Sequence, residues 1–205
     1  MISLDLRSKL TVLYGEPHRH YHNLSHVQHC LRELKELMDV ESISKPDVSE
    51  RLAIEYAIWF HDSVYDPKAP WGQNEIDSAQ LAWDSLYKYQ ELTVGKSIVS
   101  SIVKMIEATS GHLVYDKLDL ATQYFLDIDL SILGADEKTY QEYAENIRKE
   151  YSFVEKSVYV ENRKKILEKF LARRNIYSTE HFRNKYESKA RSNIQFELRL
   201  LPYVT

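Results

Sequence analysis

Apolar residues recur every three or four positions along nearly the whole chain, the period of an amphipathic helix rather than the two-residue alternation of a strand. The spacing predicts a short first helix over 3–13, closed by Gly15 and Pro17. A second runs from about His22 to Met38, with Leu24, Val27, Leu31, Leu34 and Met38 on its apolar stripe. A third, over about 48–62, is apolar all round in "AIEYAIWF", so its end is expected to be buried. After the loop "YDPKAPWGQN", Asn74 is read as the N-cap of a helix reaching about Tyr87. Thr93 is read as capping the next, which puts Val94, Ile98, Ile102 and Met105 inward and closes near Gly111. "LATQYFLDIDLSILG" is helical and apolar, with Gly134 at its end. Asp136 caps 137–151, and two long helices follow over about 155–173 and 179–200.

Composition agrees with an all-α chain. Five glycines and five prolines in 205 residues leave few breaks for a many-stranded sheet. Twenty-seven basic against 31 acidic side chains give a net charge of −4, which lacks the broadly basic footprint of a nucleic-acid binder. The basic stretch "NRKKILEKFLARRN" is read as a solvated helix face. One cysteine, Cys30, excludes an internal disulfide and fits a reducing compartment. The start lacks the pattern of a signal peptide, and no apolar run approaches the ~20 residues that span a bilayer. A cytoplasmic protein without membrane partners is therefore expected.

Five of the eight histidines crowd into "HRHYHNLSHVQH": His18, His20, His22, His26 and His29. On a helix, His22, His26 and His29 would share one stripe, but a stripe alone is a weak signal. A stronger one lies in "AIWFHDSVYDP", where His61 and Asp62 follow four apolar residues. A carboxylate at such a place needs a cation, a metal or a helix N-terminus beside it. In "FLDIDLSILG", Asp127 and Asp129 likewise interrupt an apolar run. Together these form an ordered set, H…HD…D: His26, the doublet 35 residues on, and an acid 67 beyond that. Two imidazoles and two carboxylates would neutralise one divalent ion, and mixed nitrogen and oxygen donors suit Mn, Fe, Co, Ni or Zn better than Mg. Such a site could activate water against a phosphate.

The order of "SHV", "FHDSVYDP" and "FLDIDLSILG" in a helical chain resembles the HD-domain superfamily of metal-dependent phosphohydrolases, and most closely its stand-alone branch. "HRHYHNLSHV", "NEIDSA" and "ESKARSNIQFEL" extend the likeness over residues of about 14 to 200. The resemblance implies one helical domain over 1–205, with a core at about 14–135 on which helices at about 136–201 pack. It implies metal ligands at His26, His61, Asp62 and Asp129, with Asp127 as the alternative to Asp129. One ion is favoured and a second is left open. His22 becomes a hydrogen-bond donor behind the ligands, a phosphate contact or a ligand of that second ion.

Around this set, Arg19 and His20 are candidates for binding an anionic substrate, and Tyr65 and Asp66 for the rim of the site. Glu75 could serve as a base or orient the attacking water, or simply favour its helix N-terminus. His112, near where the resembling branch also carries a histidine, could protonate a leaving oxygen. Arg163 and Arg191 could contact phosphate but read better as helix salt bridges. The expected activity is hydrolysis of a phosphate ester or nucleotide by a metal-activated water, with Asp62 or Glu75 taking its proton. Tyr65 and Trp71 are candidates for stacking a base. Two other readings stay open: a di-iron oxygenase of the same fold, and a nucleotide- or metal-binding module without turnover. The expected partner is a small phosphorylated molecule, and self-association is left open.

Overall fold

The computed structural model describes residues 2–40, 44–88, 95–111 and 118–203. Among these there is no strand, as the periodicity predicts. The chain divides into two compact units, Met1–Asp129 and Leu130–Thr205.

The first unit holds α1 (Leu4–Leu13), α2 (Leu24–Asp39), α3 (Val48–Phe60), α4 (Gln73–Trp83), α5 (Lys96–Thr109) and α6 (Leu120–Asp129). Its centre is α3, which packs against α2, α4, α5 and α6. Ala53, Ile54, Tyr56, Ala57, Ile58, Trp59 and Phe60 are all buried, so the all-round apolar run is a central helix. Local chemistry sets where it begins. The Asp47 carboxylate accepts from the amides of Ser49 and Glu50, and the Glu50 carboxylate accepts from the amide of Asp47, which is a reciprocal capping box. In the same way, Asp119 accepts from the amide and hydroxyl of Thr122 at the start of α6.

Several boundaries differ from the sequence reading. Helix α2 begins at Leu24, because Asn23 caps it by accepting from the amide of Ser25. His22 therefore lies in the preceding turn, outside the helix, and the His22–His26–His29 stripe does not form. The buried face of α2 runs through Val27, Cys30, Leu34 and Leu37, about one position round from the predicted stripe. Gly72, with a left-handed φ of 81°, precedes α4, and Asn74 sits inside the helix rather than capping it. After Trp83 the helix widens into a π turn over Asp84–Lys88. Helix α5 starts after Gly95 and buries Val99, Ile102, Met105 and Ile106. Thr93 and Val94 lie outside the described residues.

The second unit begins with a 3-10 turn, Leu130–Gly134, followed by α7 (Glu137–Glu150), α8 (Lys156–Ala172) and α9 (Glu180–Leu200). Helix α9 packs on that turn and on α7 and α8. It buries Phe182, Ala190 and Ile194, and also the polar Asn193 and Glu197. Arg163 and Arg191 serve this packing. Arg163 pairs with Glu197. Arg191 pairs with Glu187 and donates to the carbonyls of Leu171, Arg173 and Arg174 at the end of α8. Lys164 and Lys165 of the basic stretch are exposed and paired one turn along α8.

Candidate metal centre

The three sequence segments singled out above meet inside the first unit. His26 stands in the first turn of α2, His61 caps the C-terminus of α3, Asp62 follows it, and Asp129 is the last residue of α6. His26 Nε2 lies 3.0 Å from His61 Nε2 and 3.0 Å from Asp129 Oδ1. His61 Nε2 lies 3.4 Å from Asp129 Oδ1. One ligand atom from each of these three residues falls within 4.8 Å of the others, as a metal site requires. Asp62 Oδ2 adjoins them, 3.0 Å from His61 Nε2 and 3.7 Å from His26 Nε2.

The donor set fits a divalent transition metal. Two atoms each ~2.1 Å from one ion lie ~3.0 Å apart at right angles and ~3.4 Å apart at tetrahedral angles. The measured separations fall at those values. Two imidazole nitrogens 3.0 Å apart need either a shared proton or a shared cation. The outer hydrogen bonds bear on that choice. His61 Nδ1 is 2.9 Å from the Ile58 carbonyl, which only accepts, so Nδ1 carries the proton and donates it. In the neutral ring the Nε2 lone pair then faces the centre, the tautomer a ligand needs. His26 Nδ1 meets the Tyr21 hydroxyl at 3.0 Å, a partner able to accept or donate.

Charge is distributed to match. Burial alone would raise the Asp62 carboxyl, but the His61 charge, then those of His22 and His26, hold it well below the usual carboxylate range. Burial opposes ionisation of Asp129 too, and hydrogen bonds from His26 and His61 overcome it. Burial would lower His61, yet Asp62 and Asp129 raise it well above an ordinary imidazole. The site thus keeps two carboxylates ionised and draws positive charge toward them, as a pocket for a cation should. The imidazoles form a floor with side chains 2% exposed, and the carboxylates of Asp62 and Asp129 are more open, at 18% and 15%.

Asp127 does not join the group. It is fully buried two residues before Asp129, and that spacing turns it to a different face of α6. Phe125 instead sets its ring edge-on to His61, with centroids 5.9 Å apart. Glu75, in the first turn of α4, is half-buried. Burial raises its carboxyl, and the charges of Asp62 and Asp129 add to that while His22 opposes them. His22 stacks on Tyr65, with centroids 4.3 Å apart, and lies edge-on to His26 at 6.2 Å. His20 is exposed, as is Trp71, at 82%. His112 lies outside the described residues.

Arg19 departs from its expected role. Its side chain is fully buried, and all five of its N–H donors are engaged, by Glu16 and by the carbonyls of His22, Asp62 and Ser63. None is left for a substrate anion. Tyr65 is buried as well, with Arg19 and His22 against its ring, so it supports the site from beneath rather than offering a free face to a base. His18, to which the sequence assigned nothing, donates from Nε2 to the Tyr65 carbonyl at 2.8 Å.

The "NEIDSA" segment also acquires a use that its composition did not reveal. Asn74 pairs with the backbone of Asp66 in both directions, at 3.0 Å each. Ser78 Oγ accepts from the amide of Val64 and donates to its carbonyl. Positions four apart share a helix face, so one side of α4 pins the loop that leaves the His61–Asp62 pair. The periodic asparagine and serine were visible in the sequence, but their targets were not.

Comparison with family models, with curated proteins and with solved structures returned no match to this chain. The local chemistry of the site therefore carries the functional argument.

Proposed function

We propose that this protein is a metal-dependent phosphohydrolase that cleaves a phosphate ester or a nucleotide. One observation carries the reading: His26, His61 and Asp129 converge three ligand atoms on one point, with Asp62 against both imidazoles. The ordered motif and its likeness to HD-domain phosphohydrolases point to the same chemistry. A divalent ion bound there supplies Lewis acidity to a phosphoryl oxygen and to the attacking water.

The chain's own residues do the rest. His26 and His61 offer nitrogen donors from a buried floor, which keeps bulk water off one side. Asp129 adds an ionised oxygen from α6. Asp62 stands ionised on the more open side, against both imidazoles, where it can orient the attacking water. Glu75, shifted upward by burial and by like charges, is the better-matched acceptor for that water's proton. His22 presents a further imidazole beside Asp62, suited to steady charge on a phosphoryl group.

The test is direct. The protein is purified without chelator, its metal content is measured, and phosphomonoesters, nucleotides and cyclic dinucleotides are offered with Mn²⁺ or Co²⁺. Phosphate release that needs the metal and disappears in His61→Ala and Asp129→Asn supports the reading. Release that survives both substitutions, or no release from any substrate class, ends it. Two irons per chain with oxygen consumption would favour an oxygenase instead.

A further inference from the structure

Every N–H of the Arg19 guanidinium is engaged, and its partners come from two segments far apart in sequence. Its Nη1 donates to the carbonyl of His22 at 3.1 Å and to that of Asp62 at 2.5 Å. Its Nη2 donates to the carbonyl of Ser63 at 3.1 Å. Glu16 Oε2 takes Nε at 2.9 Å and Nη2 at 2.8 Å, which balances the charge. The rings of Tyr14 and Tyr65 lie 5.3 and 5.5 Å from the guanidinium carbon. The carbonyls of Asp62 and Ser63 lie beyond the end of α3, where no helical amide can reach them and where a cation is favoured by the helix dipole.

We propose that Arg19 is the positioning residue of the metal centre, fixing the His61–Asp62 turn against the turn that leads into α2. One nitrogen bridging the carbonyls of His22 and Asp62 sets the distance between the segment that carries His26 and the segment that carries the doublet. The ligand atoms depend on that distance to within tenths of an ångström. A planar fork with five donors can span three carbonyls and a carboxylate together, whereas a lysine ammonium has three donors on a single atom and cannot. This inference rests on the metal reading, but it concerns how the ligands are held and not which reaction they serve.

The experiment compares wild type with Arg19→Lys and Glu16→Gln. Each is titrated with Mn²⁺, the absorption spectrum of added Co²⁺ is recorded, and thermal unfolding is followed with metal absent. Arg19→Lys is expected to weaken Mn²⁺ binding about tenfold or more and to alter the Co²⁺ spectrum, because the ligands shift relative to one another. Glu16→Gln removes charge from a half-exposed partner and leaves the fork in place. It should weaken binding less, in the same direction, with the metal-free transition unchanged. If Arg19→Lys fails to fold, Glu16→Gln decides alone. Variants that bind Mn²⁺ and shape the Co²⁺ spectrum as wild type does would overturn the proposal while leaving the metal reading intact. Wild type that binds no divalent ion would instead overturn the metal reading, and the positioning role with it.

Discussion

His26 Nε2 and His61 Nε2 lie 3.0 Å apart although 35 residues separate them, and Asp129 closes the group from more than 100 residues beyond His26. A bound ion should therefore tie three helices together and stabilise the fold. Saturating Mn²⁺ or Co²⁺ should raise the unfolding temperature, and a hundredfold excess over Kd should add about 2.7 kcal/mol of stability. Asp129→Asn should lose most of that gain. Asp127→Asn should keep the metal response, because Asp127 stands outside the ligand group. Differential scanning calorimetry with and without metal distinguishes the two.

The Tyr21 hydroxyl lies 3.0 Å from His26 Nδ1, on the side of the ring away from the ligand group. Tyr21→Phe keeps the ring packed against His26, where the centroids are 4.9 Å apart, and removes only the hydrogen bond. Metal affinity should fall by roughly tenfold, while metal-free stability should change by only about 1 kcal/mol. Isothermal titration and thermal unfolding measured side by side would show that split. Equal affinity for the two proteins would refute it.

Gly134 is needed for space. A Cβ there would stand 2.5 Å from Tyr186 Cβ and 2.8 Å from its ring carbons. Gly134→Ala should destabilise the second unit by about 1–3 kcal/mol through overpacking. In a double-mutant cycle by chemical denaturation, Gly134→Ala should cost less in a Tyr186→Gly background, where both the Cβ and the ring are gone.

The second unit also holds a buried ion pair. Arg163 meets Glu197 by two bonds, at 2.7 and 3.0 Å, and the Tyr140 hydroxyl donates to the same carboxylate at 2.6 Å. Burial and the Glu197 charge push the Tyr140 phenol far up, which keeps it a donor. Arg163→Met strands the Glu197 carboxylate and should cost about 3–5 kcal/mol. The double variant Arg163→Met, Glu197→Leu should be markedly more stable than the single one. Urea unfolding of the set checks the order.

Acid should loosen helix α7 at its start. Asp136 is held below its ordinary value by the amide and hydroxyl of Thr139. A folded value depressed in this way adds stability above the unfolded carboxylate pKa, and that stability is lost as pH falls through the folded value. NMR titration of the Asp136 carboxyl should give a midpoint below the ordinary one, and Asp136→Asn should flatten this part of the acid response.

The helices and the ligand types could be read locally. Apolar spacing marks α3 as a buried helix, because such a signal acts within a turn or two. The motif H…HD…D likewise singled out His26, His61, Asp62 and Asp129 by residue type and order. Where those signals failed, the deciding partner was remote or the competing signal was another cap. Asn23 captured the start of α2 and left His22 in the turn. Asn74 was spent on the backbone of Asp66 instead of its own helix end.

By itself, then, the sequence determined an all-helical chain and the chemical kinds of ligand at its candidate centre. Only the tertiary structure brought Asp129 to within 3.0 Å of His26, turned Arg19 inward from a presumed substrate contact to the carbonyls of His22, Asp62 and Ser63, and gave Gly134 its reason. A helix period says which face a residue shares with its neighbours. It does not say which distant atom that face will meet, and at 3 Å that meeting decides whether a side chain binds an ion, holds a carbonyl or simply fills the core.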